Sequence, residues 1–173
     1  MSILGLTIDY GPYGWLEDYD PDWTPNTPDA QGRRYRYGHQ PRVAFWNLVR
    51  LANALVPLVG EPAPLEAALD AYPDALARGQ REMFASKLGL TEWRADEDDA
   101  LAEGLFETLR VVETDMTIFY RRLATIPVAL ADATDEALVA PLADAFYAPD
   151  AVGAAERACI AGWLRRYLAR ARQ

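Results

Sequence analysis

The segment Met1-Ser-Ile-Leu-Gly-Leu-Thr-Ile-Asp-Tyr-Gly-Pro12 decides how the rest of the chain is read. A short apolar run is broken at Gly5, resumes at Leu6-Thr7-Ile8, and delivers an acid, Asp9, into a turn containing Gly11 and Pro12. The pattern predicts one or two short strands over residues 2–9. The strand anchors the carboxylate, and the glycine lets the backbone turn away at once. Taken alone, an Asp-x-Gly sequence also fits a plain turn carboxylate, because such pairs are common in turns.

An aspartate at the end of an apolar strand, followed by an aromatic and a glycine, is how protein kinases place a magnesium ligand. The stretch is also similar to the core of the selenoprotein O (YdiU) family of pseudokinase-fold protein adenylyltransferases. That core reads Asp-Asn-Met-Ser-Ile-Leu-Gly-Leu-Thr-Ile-Asp-Tyr-Gly-Pro, and this chain starts at its Met. The resemblance continues through Asp29-Ala-Gln-Gly-Arg33 with Tyr35, Gln40-Pro41, Trp46-Asn47-Leu48 with Leu51-Ala52, and Lys87-Leu88-Gly89-Leu90. It extends to Asp115-Met-Thr-Ile-Phe119 with Arg121 and Leu123.

The resemblance implies that Asp9 is a magnesium ligand. It implies AMP transfer from ATP to hydroxyl groups of a protein substrate, with magnesium and ATP as the parent's cofactors. The family's proposed catalytic base is the Asp of the Asp-Asn pair, which would precede Met1, so no catalytic residue is expected in these 173 residues. The nucleotide-binding lobe would lie further upstream, and the family's redox Cys or selenocysteine beyond Gln173. The chain is therefore expected to be an internal piece of such an enzyme, inactive in isolation, with no magnesium or ATP bound. The alternative is a non-catalytic helical interaction module derived from the same fold. The expected fold is mainly α, the C-terminal-lobe part of a protein-kinase-like fold with a short N-terminal β element. Residues 1–40 are expected to hold the strand, the metal-ligand turn and an activation-segment-like loop. Residues 41–173 are expected to form a helical domain, the whole making one structural unit.

Composition bounds the function classes. The chain has 173 residues, 51% of them hydrophobic, enough for a domain with a real core. The formal net charge of −9 argues against nonspecific binding to nucleic acid or anionic membrane. No stretch is expected to reach the length of a membrane span, and the N-terminus lacks the basic start of a signal peptide. A single cysteine, Cys159, excludes an intrachain disulfide and fits a reducing cytoplasm. The apolar run Ile3 to Ile8 would leave open strand edges, so self-association through it is expected.

Residues 12–40 are rich in Pro, Gly, Asp and aromatics without helical period. A structureless run of that length is usually functional or disordered. Asp18-x-Asp20-x-Asp22 resembles the start of a calcium loop, but the required glycine and closing Glu are missing, so a solvated acidic turn is the better reading. From Pro41 onward the periodicity predicts helices over 42–59, 65–88 with a break or kink at Pro73, and 96–113. Further helices are predicted from an Asp115 cap through Leu123, over 135–147 with an irregularity at Pro141, and over 149–172. Lys87-Leu88-Gly89 reads as a basic last turn with a glycine C-cap. Asp96 to Asp99 suit a helix N-terminus, and Arg165, Arg166, Arg170 and Arg172 a C-terminus.

Three single features have plain readings. His39, the one histidine, reads as a loop residue, with no partner for a zinc site or a triad. Cys159, on a stripe with Ala155, Trp163 and Tyr167, reads as a packed small hydrophobe. Arg33, Arg34 and Arg36 could face phosphate, but a solvated or acid-paired cluster is the simpler reading.

Overall fold

The computed structural model describes residues 14–25, 29 and 31–172. Asp9 and the N-terminal β element expected over residues 2–9 lie outside the described residues, as does the apolar run Ile3 to Ile8. The described chain is mainly α, with seven α-helices: α1 (Gln40–Val59), α2 (Ala63–Asp70), α3 (Tyr72–Leu88), α4 (Ala95–Leu109), α5 (Met116–Leu123), α6 (Asp135–Val139) and α7 (Ala154–Ala171). Short 3-10 turns link several of them, and the extended pairing among the described residues is an antiparallel bridge between Thr114 and Phe146.

The residue pattern explains where these helices begin and end. Pro41 sits in the first turn of α1, where its missing N–H has no partner to lose. The expected break near Pro73 occurs at Ala71, leaving α2 and α3 as separate helices with Pro73 in the first turn of α3. Gly89 closes α3 with φ 68, its N–H donating to Ser86 O and that of Leu90 to Ala85 O, a Schellman ending that needs the left-handed backbone only glycine adopts freely. Asp115 caps α5, its Oδ1 accepting from Ile118 N at 2.8 Å. The helix predicted over 135–147 is short: α6 gives way at Ala140 to a 3-10 turn through Ala145, with Pro141 in its first turn.

Contacts group the described residues into two compact units, one drawn from residues 14–15 and 20–80, the other from 16–19 and 81–172, so the division falls inside α3. In the second unit, α4, α5, α6 and α7 bury Leu101, Leu105, Leu109, Phe119, Leu123, Leu138, Leu142, Ile160, Trp163, Leu164 and Leu168 in one core. Trp163 is its largest member; the indole N–H donates to Leu101 O at 2.9 Å and the ring stacks on Tyr167 one turn on. Gly104 on α4 lies under that indole, and a Cβ there would come within 3.2 Å of Trp163 Cδ1, so the close approach of α4 and α7 requires glycine or a shift of the ring.

In the first unit α1 packs on α2, Phe45 meets the Tyr72 ring, and Tyr72 OH donates to Pro41 O at 2.8 Å. Val43 is the buried residue of α1, while Phe45, Trp46, Leu58 and Val59 stay exposed. Here one sequence expectation is corrected. The 3-10 turn before α1 runs straight into it, giving a continuous helical stretch Tyr37–Val59 of 23 residues, long and apolar enough by length and composition to cross a membrane. The sequence reading expects no stretch of that length and places the helix over 42–59.

Candidate functional site

The loop ahead of α1 is ordered by its own acids. Asp20 Oδ1 accepts from Asp22 N at 2.8 Å, closing a turn at Pro21, and Trp23 N–H returns to Asp20 O. Asp22 pairs with Arg36 at 2.9 Å, and a long bond runs from Arg33 to Asp22 O. Of the Asp18, Asp20 and Asp22 series, Asp20 thus serves a turn and Asp22 an ion pair. Asp29 organises the arginine segment: its backbone O accepts from Arg33 N at 2.9 Å and its Oδ2 from Arg34 N at 2.6 Å. Between them Arg33 is held at φ 42, a left-handed backbone that costs a residue with a Cβ about 1 kcal/mol. His39 closes the 3-10 turn over 37–39 and its Nε2 meets the Arg36 guanidinium.

Among the described residues Arg34 has no acid partner. Its guanidinium carbon lies 4.2 Å from the Trp46 ring centroid, and that of Arg50 lies 4.8 Å from the same ring. Arg42, Trp46 and Arg50 sit at i, i+4 and i+8 on α1, one stripe of the helix. The sequence did hold a signal for this cluster: from Ala30 to Gly60 there is no Asp or Glu, in a chain with 26 acids. Expectation stopped at Arg33, Arg34 and Arg36, because Arg50 is brought to Arg34 by the fold.

In the second unit the four acids that open α4 divide their roles. Asp98, fully buried, receives Arg170 Nε at 2.8 Å and Nη2 at 3.1 Å, and its Oδ2 also accepts from Arg94 N at 2.7 Å. Asp98 Oδ2 thus satisfies the N–H of Arg94, the residue that precedes the helix and whose O accepts the first intrahelical bond from Asp98 N–H. The hydrogen bond to Asp98 raises the Arg170 guanidinium above its ordinary range. Asp99 accepts from Arg81 and, at 2.9 Å, from the Trp93 indole; the Arg81 bond chiefly holds its carboxyl below the ordinary value. Tyr147 OH donates to Glu17 at 2.9 Å, which pushes that phenol up to about 12. Burial raises the phenol of Tyr167, whose OH donates to Leu88 O.

The arginines near the end of α7 were expected to complement its C-terminus. Arg170 does lie in the last turn, with its side chain turned inward to Asp98, while Arg165 donates to Ala131 O and Ala133 O and pairs with Asp135, and Arg172 reaches Val128 O. Cys159 is a second correction, because it is exposed and not packed. The buried stripe of α7 runs through Ile160, Trp163, Leu164, Tyr167 and Leu168, and Cys159, four residues before Trp163, stands about 40° beyond that edge of it. Asp115 is a helix cap, Arg122 pairs with Asp144, and Lys87 lies over the Tyr120 ring. A groove of about 440 Å³ runs between α4 and α7, floored by Gly104 and rimmed by Glu97, Glu103, Glu107 and Arg166. Its deep polar group, Arg170, is already satisfied by Asp98. Among the described residues no three His, Cys, Asp or Glu side chains gather so as to hold a metal ion.

The family model for the protein adenylyltransferase SelO matches residues 1–173. The chain is 54% identical to the protein nucleotidyltransferase YdiU of Rhodopirellula baltica over 98% of its length, covering 32% of that relative. It is 49% identical to the protein of the same name from Nitrosospira multiformis over 100% of its length, covering 34% of it, and 52% identical to that of Xanthomonas campestris pv. campestris, covering 32%. The class these matches define is a nucleotidyl-transferring transferase. The chain belongs to the SelO family, and it spans about a third of the length of the curated relatives it matches.

Proposed function

We propose that these residues are part of an enzyme that transfers AMP from ATP to a hydroxyl of a protein substrate, on a pseudokinase-like fold of which this chain supplies C-lobe helices. The carrying observation is the family match over residues 1–173, with Asp9 inside the motif Leu6-Thr7-Ile8-Asp9-Tyr10-Gly11. In this reading Asp9 is a magnesium ligand for the nucleotide phosphates, and ATP is the donor. Nucleotidyl transfer depends on positioning and on countering phosphate charge. One carboxylate cannot hold metal, nucleotide and acceptor together, so these 173 residues expressed by themselves are expected not to transfer AMP. A reducing cytoplasm is the compartment we assign, on the single Cys159.

The test is Asp9→Ala in a polypeptide that carries the whole family sequence. AMP incorporation into protein should fall by at least about 100-fold, the order seen when a key electrostatic group is removed, with the circular dichroism unchanged. Retained activity would withdraw the metal-ligand role of Asp9 and leave its motif as a structural resemblance alone.

A further inference from the structure

We propose that the arginine–tryptophan cluster of the first unit is a docking surface for an acidic segment of a protein partner. It rests on the reading above, since a protein-modifying enzyme must hold its protein substrate. Trp46 carries the guanidinium groups of Arg34 and Arg50 at 4.2 and 4.8 Å from its centroid, and Arg42 stands one turn before it on the same stripe of α1. Two like charges gathered on one indole repel each other, and a carboxylate brought between them relieves that repulsion. The nearby acids are already engaged: Asp22 with Arg36, and Asp29 with the backbone N–H groups of Arg33 and Arg34. Among the described residues Arg34, Arg42 and Arg50 have no acidic partner, and all three are exposed. The loop that presents Arg34 is held in place by Asp29, even at the expense of a left-handed Arg33, so the cluster is built in advance of any partner.

Charge complementarity selects the occupant. The stretch 30–60 carries five Arg and no acid, while the chain as a whole carries −9. That excess negative charge repels a dense polyanion such as nucleic acid or an anionic bilayer, whose charges extend over the whole surface. A short peptide with a few carboxylates meets the local patch alone. Planar guanidinium groups suit carboxylates, and the exposed Tyr35 and Trp46 rings offer apolar contact beside them.

The test is direct binding without nucleotide, so that its result is separate from that of Asp9→Ala. A fluorescein-labelled Glu/Asp-rich peptide is titrated with the 173-residue chain at low salt and followed by anisotropy, beside the same peptide with Gln/Asn in place of its acids. The acidic peptide should bind and the neutral one should not. Arg34→Glu with Arg50→Glu should weaken binding about tenfold or more, and Arg110→Glu with Arg157→Glu, far along the sequence, should leave it unchanged. Should the reversal variant lose its helical spectrum, Arg34→Gln with Arg50→Gln replaces it and should show a smaller loss in the same direction. Absence of acidic-peptide binding, an equal loss in both double variants, or binding of single-stranded DNA or phosphatidylserine vesicles in preference to the peptide would overturn the proposal.

Discussion

Asp98 and Arg170 form the pair with the most at stake among the described residues. Both are buried, and Arg170 is also tied to Glu92 O at 2.8 Å. Removing one member leaves the other charge without its partner in a low-dielectric site. Asp98→Ala also strips the N–H of Arg94 of its acceptor. Such losses cost roughly 3–5 kcal/mol, whereas replacing both partners with apolar residues is often near neutral. Urea unfolding should therefore place Asp98→Ala several kcal/mol below the wild type. Asp98→Leu with Arg170→Met should recover most of the difference, short of the cap. Equal losses for the single and double variants would mean that the cap, not the charge pair, carries the effect.

The junction of α3 and α4 in the second unit is clasped by Arg81, Asp99 and Trp93. The Asp99 carboxyl lies below its ordinary value of 3.8 because Arg81, first, and Trp93 donate to its charged form. A depressed acid contributes stability above its unfolded pKa and loses it as pH falls through the folded one, so the clasp should be intact at neutral pH and fail only below pH 3.8. The pair is half exposed, so its effect is small and screened by salt. The readout is the stability gap between wild type and Asp99→Asn: present at pH 7, closing as pH drops below 3.8, and narrower in high salt. A gap that persisted unchanged into strong acid would assign the effect to packing instead.

Across the fold the two units differ in what holds them. Among the described residues every buried hydrophobic residue except Val43 lies between Leu88 and Leu168, in the second unit. The first unit keeps α1, α2 and half of α3 with little buried apolar area, and local opening free energy follows buried contacts. Amide exchange should be slowest in α4 and α7, around Leu105 and Leu164, and markedly faster in α1 and α2. Equal protection would show that α1 is covered in solution by a partner or a second copy.

The sequence was enough to place helices, because their signals are local. The apolar spacing of Leu101, Leu105 and Leu109, the Asp115 cap, Gly89 at a left-handed end and Pro73 in a first turn all act within a turn or two of the chain. It also carried the family motif around Asp9, since a motif is a run of residues. Pairings between distant residues were beyond it. Asp98 meets Arg170 across 72 positions, and Arg34 joins Arg50 on the Trp46 ring only because a loop held by Asp29 folds back on α1. The exposure of Cys159 likewise depended on which stripe of α7 the other helices covered. Periodicity states that a helix has an apolar side; the rotation that brings a given residue inside or leaves it in water is set by what packs against that side, and only the tertiary structure contains it.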